Sequence, residues 1–595
     1  MIELLLWAAI SIPLVASLGL ALVPLSRERA VARAALGGTA LSALASAAAI
    51  AVWLAQRGAP VRTVPHVPFA HASYHFTLTL VLDSAAAVFL TLVQFITGMV
   101  VRFSRFYLHR EPGFRRFFAT VLLFQGAMCL LALAGNIDLM FAGWELVGIS
   151  SFLLIAFYRE RQSAVRNALK TYSVYRIADI GMLLAACLEG GGERSGYLIG
   201  LLLLLAAIGK SAQFPFSFWV ARAMEGPTPS SALFYGALSV HAGAYLLLRS
   251  FPLFAGILTV RICIGAIGVV TAVTCSMFSS VQPTIKGQIG YASVAQVGII
   301  FVEIALGLMH LALLHIVSNA LVRCYQLLVS PSVVAHRLRR QATAGAARAG
   351  AARSLYARFV PAGWWPTLYV FALSEGYLKD ISKLGLWFPL RRLGKALERR
   401  ATFVLGAGIV GVVAVLAYVR HATSAIGPGA AALLVGVAIA FSACGLAGWR
   451  QPARAVLWIS GSSLLVMMAA GVVAGGDTSV ATLLYGGSVA VAGALGYVGF
   501  ASAALRGDAT RFAGLWDRRP TAAVVAFLGA LGLAGAPLWP TFWGEDLIIH
   551  SALGGHRAVA VAVATVLAAN GYLAVRNFAY TFMGRPSLAN PERLR

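Results

Sequence analysis

The sequence predicts an all-α, polytopic membrane protein of about fifteen transmembrane helices. Three observations support this. Of 595 residues, 59% are hydrophobic and only 11% charged, about half the charged fraction of ordinary soluble domains, and the mean hydropathy is +0.82. Apolar stretches of roughly 18 to 25 residues recur along the chain, among them Leu4 to Val23, Phe117 to Ala134 and Phe403 to Val419, and each suffices to carry a helix across about 30 Å of hydrocarbon. The net charge of +26 lies in short loops between these stretches, not on a basic stripe interleaved with aromatics, so it argues for membrane topology and against nucleic-acid binding.

Residues 1–116 hold the first three spans. Glu3 to Val23 has no basic leader and no clear small-residue cleavage site, so it is expected to stay as a helix, with the mature chain starting near Met1. Arg27, Arg29 and Arg33 follow span 1, Arg102, Arg105, Arg110, Arg115 and Arg116 follow span 3, and Arg159, Arg161 and Arg166 follow span 5. The loops after spans 2 and 4 are poor in arginine, so the N-terminus is expected to face outward from a bacterial cytoplasmic (inner) membrane. Residues 117–250 form a block of five spans, and 251–331 begin a second group. In 332–401 a basic loop, Ser332 to Arg358, is followed by Trp364 to Arg399, where Lys379, Lys383, Arg391, Arg392 and Lys395 recur at roughly helical spacing. The loop is expected on the cytoplasmic side and the helix along the membrane surface. Inserted spans occupy 402–520, and 521–595 hold the last ones.

Two apolar segments are interrupted by proline: Leu201 to Pro229, with Pro215, Pro227 and Pro229, and Phe527 to Ile549, with Pro537 and Pro540. Unwound backbone in a bilayer is tolerated only where it is buried in protein or lines a cavity, so two broken helices point to a transport path near the midplane. The six cysteines stand singly in apolar segments, without the paired spacing of metal, iron-sulfur or haem sites. No cofactor and no metal is expected in this chain.

An ionisable residue inside a span is costly unless paired or hydrated, which makes each one a functional candidate. Glu145 lies mid-span in Phe141-Ala-Gly-Trp-Glu-Leu-Val-Gly148, and Lys210 closes an apolar run just before Pro215. Neither has a partner at helical spacing, so the two are expected to satisfy each other across helices, as a proton switch or as a static ion pair. Arg176 and Asp179, at i and i+3, can neutralise one another on one helix face. His241 and His315 are flanked by long apolar runs and suit a proton relay, although a lone histidine is more often a satisfied core residue. Glu303 and Arg323 extend that relay. Glu545 and Asp546 follow Pro540 in the second broken segment, where they suit a proton entry or exit, or cap a helix.

At these residues the sequence resembles the proton-conducting antiporter-like family: the large membrane subunits of respiratory NADH:quinone oxidoreductase, the multisubunit cation/proton antiporters and the membrane subunit of two-protein inorganic-carbon accumulation systems. Gly143-Trp-Glu-Leu-Val-Gly148, Ser150-Ser-Phe-Leu-Leu-Ile155 and Lys170 through Tyr175-Arg-Ile-Ala-Asp179 are similar to the family's spans 5 and 6. Gly209-Lys-Ser-Ala-Gln-Phe-Pro215, with Trp219 and Ala223-Met-Glu-Gly-Pro-Thr-Pro-Ser-Ser-Ala232, resembles its broken span 7 and the following loop. Ile285-Lys-Gly-Gln-Ile-Gly-Tyr291 and Ser293-Val-Ala-Gln-Val-Gly298 resemble the stretch before the span bearing His315. The likeness covers about Asp83 to Pro331 and returns at Phe527 to Gly584, through Leu533-Ala-Gly-Ala-Pro537 and Arg576-Asn-Phe-Ala-Tyr580.

The resemblance implies antiporter-like inverted repeats, a modulating pair of Glu145 and Lys210, a hydrated midplane path through His241 and His315, and Glu545 at the position where the second broken span carries a lysine or glutamate. Three departures stand out. Tyr235 and Asn319 replace histidines found in many respiratory relatives, and Arg323 replaces a common lysine. No long lateral helix like that of the largest respiratory subunit is expected, since the sequence runs to Arg595, and within the 402–520 insertion Gln451 to Arg506 reads as a degenerate partial repeat. The expected function is proton translocation as the energy-coupling module of an inorganic-carbon accumulation complex, with a zinc-type inorganic-carbon protein as partner. The rivals are a proton-pumping subunit among respiratory-complex subunits and a non-conducting scaffold. Protons and membrane lipid are the other expected partners.

Overall fold

A computed structural model describes residues 1–24, 26–71, 74–188, 193–330, 362–378, 380, 388–398, 427–474, 479–503 and 512–585. Because hydrocarbon offers no hydrogen bonds, a spanning segment must satisfy its backbone internally, and these apolar runs do so as helices. In chain order the helices are α1 (Ile2–Gly19), α2 (Glu28–Ala55), α3 (Ser84–Tyr107), α4 (Phe114–Leu133), α5 (Ile137–Ile155), α6 (Gln162–Leu188), α7 (Glu193–Lys210) and the short α8 (Val220–Ala223). They continue with α9 (Thr228–Leu253), α10 (Leu258–Val281), α11 (Ile285–Leu306), α12 (Met309–Val329), α13 (Trp365–Leu373), α14 (Phe388–Glu398), α15 (Gly427–Ala447) and α16 (Pro452–Val473). The last four are α17 (Thr482–Ser502), α18 (Pro520–Leu533), α19 (Pro540–Gly555) and α20 (Arg557–Phe582).

Among the described residues, 14 helices are long and apolar enough to cross a membrane, close to the fifteen expected. The expected span at Phe403 to Val419 and the basic loop Ser332 to Arg358 lie outside the described residues. Trp364 to Arg399 is not described as one amphipathic helix: α13 is apolar and packs on α10 through Phe371 and Phe278, with ring centroids 6.1 Å apart, while the basic residues Arg391, Arg392 and Lys395 lie on α14.

One small departure from an all-helical chain lies between α2 and α3. Four short strands, β1 (Val61–Arg62), β2 (His66–His71), β3 (Tyr74–Leu78) and β4 (Val81–Leu82), pair antiparallel as β1 with β4 and β2 with β3. The connection is rich in Val, Phe, Tyr and Thr, residues that suit a pleated surface. Phe76 from β3 packs edge-on to Phe542 at 6.2 Å and against Trp543 at 6.1 Å, both on α19. Asn136, the N-cap of α5, donates to the Thr77 carbonyl at 3.0 Å and to its hydroxyl at 2.6 Å. The hairpin thus touches both the first five-span block and the second broken helix.

The two broken helices stop in the same way. After α7, Ala212 takes a left-handed φ of 52°, Gln213 N–H returns to Ile208 O at 2.9 Å and Phe216 N–H to Gln213 O at 2.7 Å. After α18, Gly535 takes φ 67°, Ala536 N–H returns to Leu531 O at 3.1 Å and Trp539 N–H to Ala536 O at 2.8 Å. A left-handed residue followed by a bond reaching back five residues is a Schellman stop, which satisfies the last carbonyls of a helix where no water can. Pro215 and Pro537, the expected helix breaks, lie within these two turns. Leu533 ends α18 where Lys210 ends α7, so only the first break carries a cation at its edge.

Small residues and buried polar side chains hold the bundle together, as expected where lipid gives helices no hydrophobic reason to associate. Gln94 on α3 donates to Ser42 and Ser46 on α2 at 2.9 Å each, and Gln125 on α4 donates to Gln94 at 2.6 Å. On the inserted helices, Asn570 of α20 bonds Ser442 of α15 at 2.7 Å and Ser462 and Ser463 of α16 at 3.1 and 3.0 Å. Helices α17 and α18 meet backbone to backbone: a Cβ on Gly529 would stand 2.3 Å from Gly496 N, and one on Gly499 would stand 2.4 Å from Ala526 N. Gly529→Val is therefore expected to force α17 and α18 apart and to cost about 1–3 kcal/mol. Thermal unfolding in detergent checks this, and an unchanged midpoint contradicts the close packing described.

Candidate functional site

The first break brings α5, α6 and α7 together around four charged side chains. Glu145 and Lys210 are 2% and 1% exposed, and Arg176 and Asp179 are also buried. The approach is close because small residues line it: a Cβ on Gly209 would meet Ala178 Cβ at 2.1 Å, and one on Gly148 would stand 3.3 Å from Lys210 Nζ.

The pairing differs from the two pairs expected from sequence. Arg176 Nη1 donates to Glu145 Oε1 at 2.7 Å, so Glu145 is bound to Arg176 rather than to Lys210. Asp179, expected to neutralise Arg176 on α6, instead accepts from Trp144 Nε1 at 2.6 Å. Lys210 Nζ donates to the Trp144 carbonyl at 3.0 Å and lies 4.7 Å from the Trp144 ring centre and 4.5 Å from that of Tyr175. The physical reason is that neighbouring residues Trp144 and Glu145 offer a carboxylate and an indole donor to α6, and a carbonyl and an aromatic face to Lys210 on α7. Both acids could have taken the guanidinium, but Asp179 is engaged by the Trp144 indole and Glu145 is not, and the Lys210 ammonium finds in a carbonyl and two aromatic faces partial substitutes for water.

Arg176 has a second neighbour. It lies within electrostatic range of Glu545 on α19, and its guanidinium packs on Gly571 of α20, where a Cβ would stand 3.1 Å from Nη2. The Glu545 carboxylate rests on the second break: a Cβ on Gly535 would lie 2.4 Å from Glu545 Oε2. Asp546 beside it accepts from Cys187 Sγ on α6 at 3.4 Å. Glu545 and Asp546 lie in the second turn of α19, beyond its N-cap Trp539, so neither caps that helix. The two broken regions thus meet at α6, with Arg176 between their glutamates.

A second group of polar residues joins α9, α11 and α12. Helix α9 is interrupted by a π-helical turn, Ala232–Ala237, and such turns frequently mark functional sites. His241 Nδ1–H donates to the Ala237 carbonyl freed there, which leaves Nε2 to accept from Asn319 Nδ2 at 3.0 Å in the neutral ring. Arg323 Nε donates to Asn319 Oδ1 at 3.2 Å. Tyr235, from the same π turn, shares a hydrogen bond with Ser151 of α5 at 2.9 Å and packs on Trp219 at 5.6 Å. His315 and Glu303 are brought together at 2.8 Å, with His315 Nε2 3.0 Å from Gln296 Oε1. A cavity of about 480 Å³ lined by Gln288, Ala292, Arg323 and Gln326 opens between α11 and α12.

Three participants were not singled out from sequence. Trp144 and Tyr175 form the seat of Lys210, and their signal is adjacency to Glu145 and Arg176. Glu375, buried in the turn after α13, pairs with Arg222 of α8 at 2.5 Å, and Glu375, Gly376 and Tyr377 all have positive φ. Nothing in the sequence distinguishes that glutamate from the basic segment around it.

Comparisons with known proteins find likenesses along much of the chain. Residues 69–118 match the family model described as NADH-Ubiquinone oxidoreductase (complex I), chain 5 N-terminus, and residues 134–189 and 190–347 match that of the NADH:quinone oxidoreductase/Mrp antiporter transmembrane region. NADH-ubiquinone oxidoreductase chain 5 of Pseudosoriculus fumidus is 36% identical over 271 residues, which is 43% of this chain and 45% of that one. The chain 5 of Balaenoptera musculus is 37% identical over 281 residues, 44% of this chain and 46% of its own. The chain therefore spans less than half the length of these curated relatives. Among solved structures, a chain of the Mrp complex from Dietzia sp. DQ12-45-1b is similar in fold across 99% of this chain and 100% of its own, with a TM-score of 0.50 and 16% identity.

Trp144 is expected to stabilise both of its charged neighbours. Trp144→Phe removes the donor to buried Asp179 and should cost about 1–3 kcal/mol, whereas Asp179→Asn keeps an acceptor oxygen and should cost less. Unfolding midpoints of the two variants check the order, and a Trp144→Phe protein as stable as the parent contradicts it.

Proposed function

We propose that this chain, which belongs to the proton-conducting antiporter-like family of membrane subunits, carries protons across the membrane and passes them between Lys210 and the two glutamates of its broken regions. The observation that carries the reading is the seat of Lys210. Its ammonium is buried with a backbone carbonyl and two aromatic faces, while the nearest glutamate is bound to Arg176. A cation so placed holds its proton only as firmly as the surrounding charge allows.

The switch in this reading is the guanidinium of Arg176. Bound to Glu145, it screens that carboxylate from Lys210, and the lysine gives up its proton more readily. Turned toward Glu545, it frees Glu145 to hold the proton on Lys210. Arginine itself keeps its charge throughout, so it acts as a moving counter-ion and not as a carrier. His241, Asn319 and Arg323 supply a hydrogen-bonded line toward the cavity between α11 and α12, which serves as the entry. Asn319 cannot titrate, so water must complete the step there. His315 and Glu303 form a side branch of this line. Glu545 and Asp546 serve the second region.

Assembly with other membrane subunits is part of the proposal, supported by relatives that are themselves subunits of NADH-ubiquinone oxidoreductase and of an Mrp complex. An inorganic-carbon partner has no counterpart among the relatives named above, and coupling to a respiratory complex fits at least as well. The arginine-rich ends of α1 to α6 support a cytoplasmic assignment for that face of a bacterial inner membrane, with the N-terminus outside.

Proton uptake into vesicles holding the assembled complex tests the reading. Lys210→Met should lower flux at least about a hundredfold while assembly is retained, and Lys210→Arg should fail nearly as badly. Arg176→Met and Glu145→Gln should each impair flux. Parental flux in Lys210→Met would sink the mechanism. If activity returns when both members of the Glu145–Arg176 pair are made apolar, the pair only holds the helices together.

A further inference from the structure

At the arginine-rich membrane face, α2 begins, α3 ends and α4 begins around a cavity of about 830 Å³. It is lined by Arg27, Arg29, Arg33, Arg105 and Arg110, with His109, Phe106 and a single acid, Glu28. That acid is already engaged: His109 Nδ1 lies 2.8 Å from it and the Arg110 amide donates to it at 3.2 Å. None of the five guanidiniums forms an ion pair among the described residues. Five arginines against one glutamate leave a formal charge of +4 in one concave site, and the N-terminal dipole of a 28-residue helix adds to it.

Single arginines at the ends of spans are accounted for by topology alone. Topology does not require them to converge on a cavity. The convergence is built: Arg115 Nη1 of α4 donates to the Ala21 and Val23 carbonyls at 3.1 and 2.6 Å, tying the end of α1 to the start of α4. Apolar side chains stand beside the charge, with Phe106 74% exposed and Leu22 87% exposed.

We propose that this cavity binds the headgroup of an anionic phospholipid carrying more than one phosphate. The arginines, which recognise phosphate oxygens in bidentate fashion, take the phosphates, and the acyl chains lie against Phe106 and the lipid-facing side of α3. Basic pockets between helices on the cytoplasmic side of a membrane suit such headgroups. A soluble phosphate shares the chemistry but has no use for the apolar rim.

Binding of cardiolipin, phosphatidylglycerol and phosphatidylcholine to the full chain, purified in detergent as it is assembled in the membrane, can be read by native mass spectrometry. Cardiolipin should bind most tightly and phosphatidylcholine least. Arg29→Gln combined with Arg105→Gln should weaken cardiolipin at least about tenfold, since each basic residue near the surface contributes about 1 kcal/mol. Arg391→Gln with Arg392→Gln, on a separate basic helix, should leave it unchanged, and unfolding in phosphatidylcholine alone verifies that both variants are folded. Equal loss in the two variants, or none in the first, overturns the site. Displacement of cardiolipin by millimolar inorganic phosphate assigns the cavity to a small soluble anion and overturns the lipid.

Discussion

The buried bond between Arg176 and Glu145 is the interaction on which the arrangement of charges depends. An isolated ion in a bilayer core is expensive, and removing one partner of a buried pair leaves the other uncompensated. Arg176 is the shared cation: it is bonded to Glu145 on α5 and is near Glu545 on α19. Gly571 lets the last helix pack closely on it, since a Cβ there would stand 3.1 Å from Arg176 Nη2. Asp179, relieved of neutralising Arg176, is free to fix the Trp144 indole, and Trp144 in turn supplies a carbonyl and a ring to Lys210. The four charges are therefore one arrangement, and moving one of them alters the surroundings of the other three.

The second polar group has a different chemistry. Tyr235 and Asn319 are not idle: one bonds Ser151, and the other links His241 to Arg323. A hydrogen-bonded line persists with fewer titrating members. The π turn at Ala232–Ala237 is what frees the carbonyl that orients His241, so a local defect in a helix sets the tautomer of a buried imidazole.

Much of this was legible in the sequence. Apolar length gave the spans, since a bilayer leaves helices as the economical solution, and proline gave both breaks. The buried charges stood out because charges in spans are few. Their pairing was not legible. Spacing along α6 put Arg176 beside Asp179, whereas the structure sends both to α5, because rank on a helix face says nothing of what the neighbouring helix offers. The strands between α2 and α3 were missed for a related reason: a loop outside the hydrocarbon follows ordinary β propensity, and the apolar signal that organises the rest is silent there. Glu375 was hidden among basic residues, and its burial against Arg222 arises only from tertiary packing.

The hairpin that carries Phe76 reaches from the entrance of α5 to the second broken helix. It lies in a connection outside the spans, where the chain tolerates chemical change more readily than in its packed interior. A covalent tether between that hairpin and α19 would therefore act as a brake applied from outside the bilayer. It would immobilise the second region without altering any charged side chain within the membrane, and so separate the mechanics of the protein from its electrostatics.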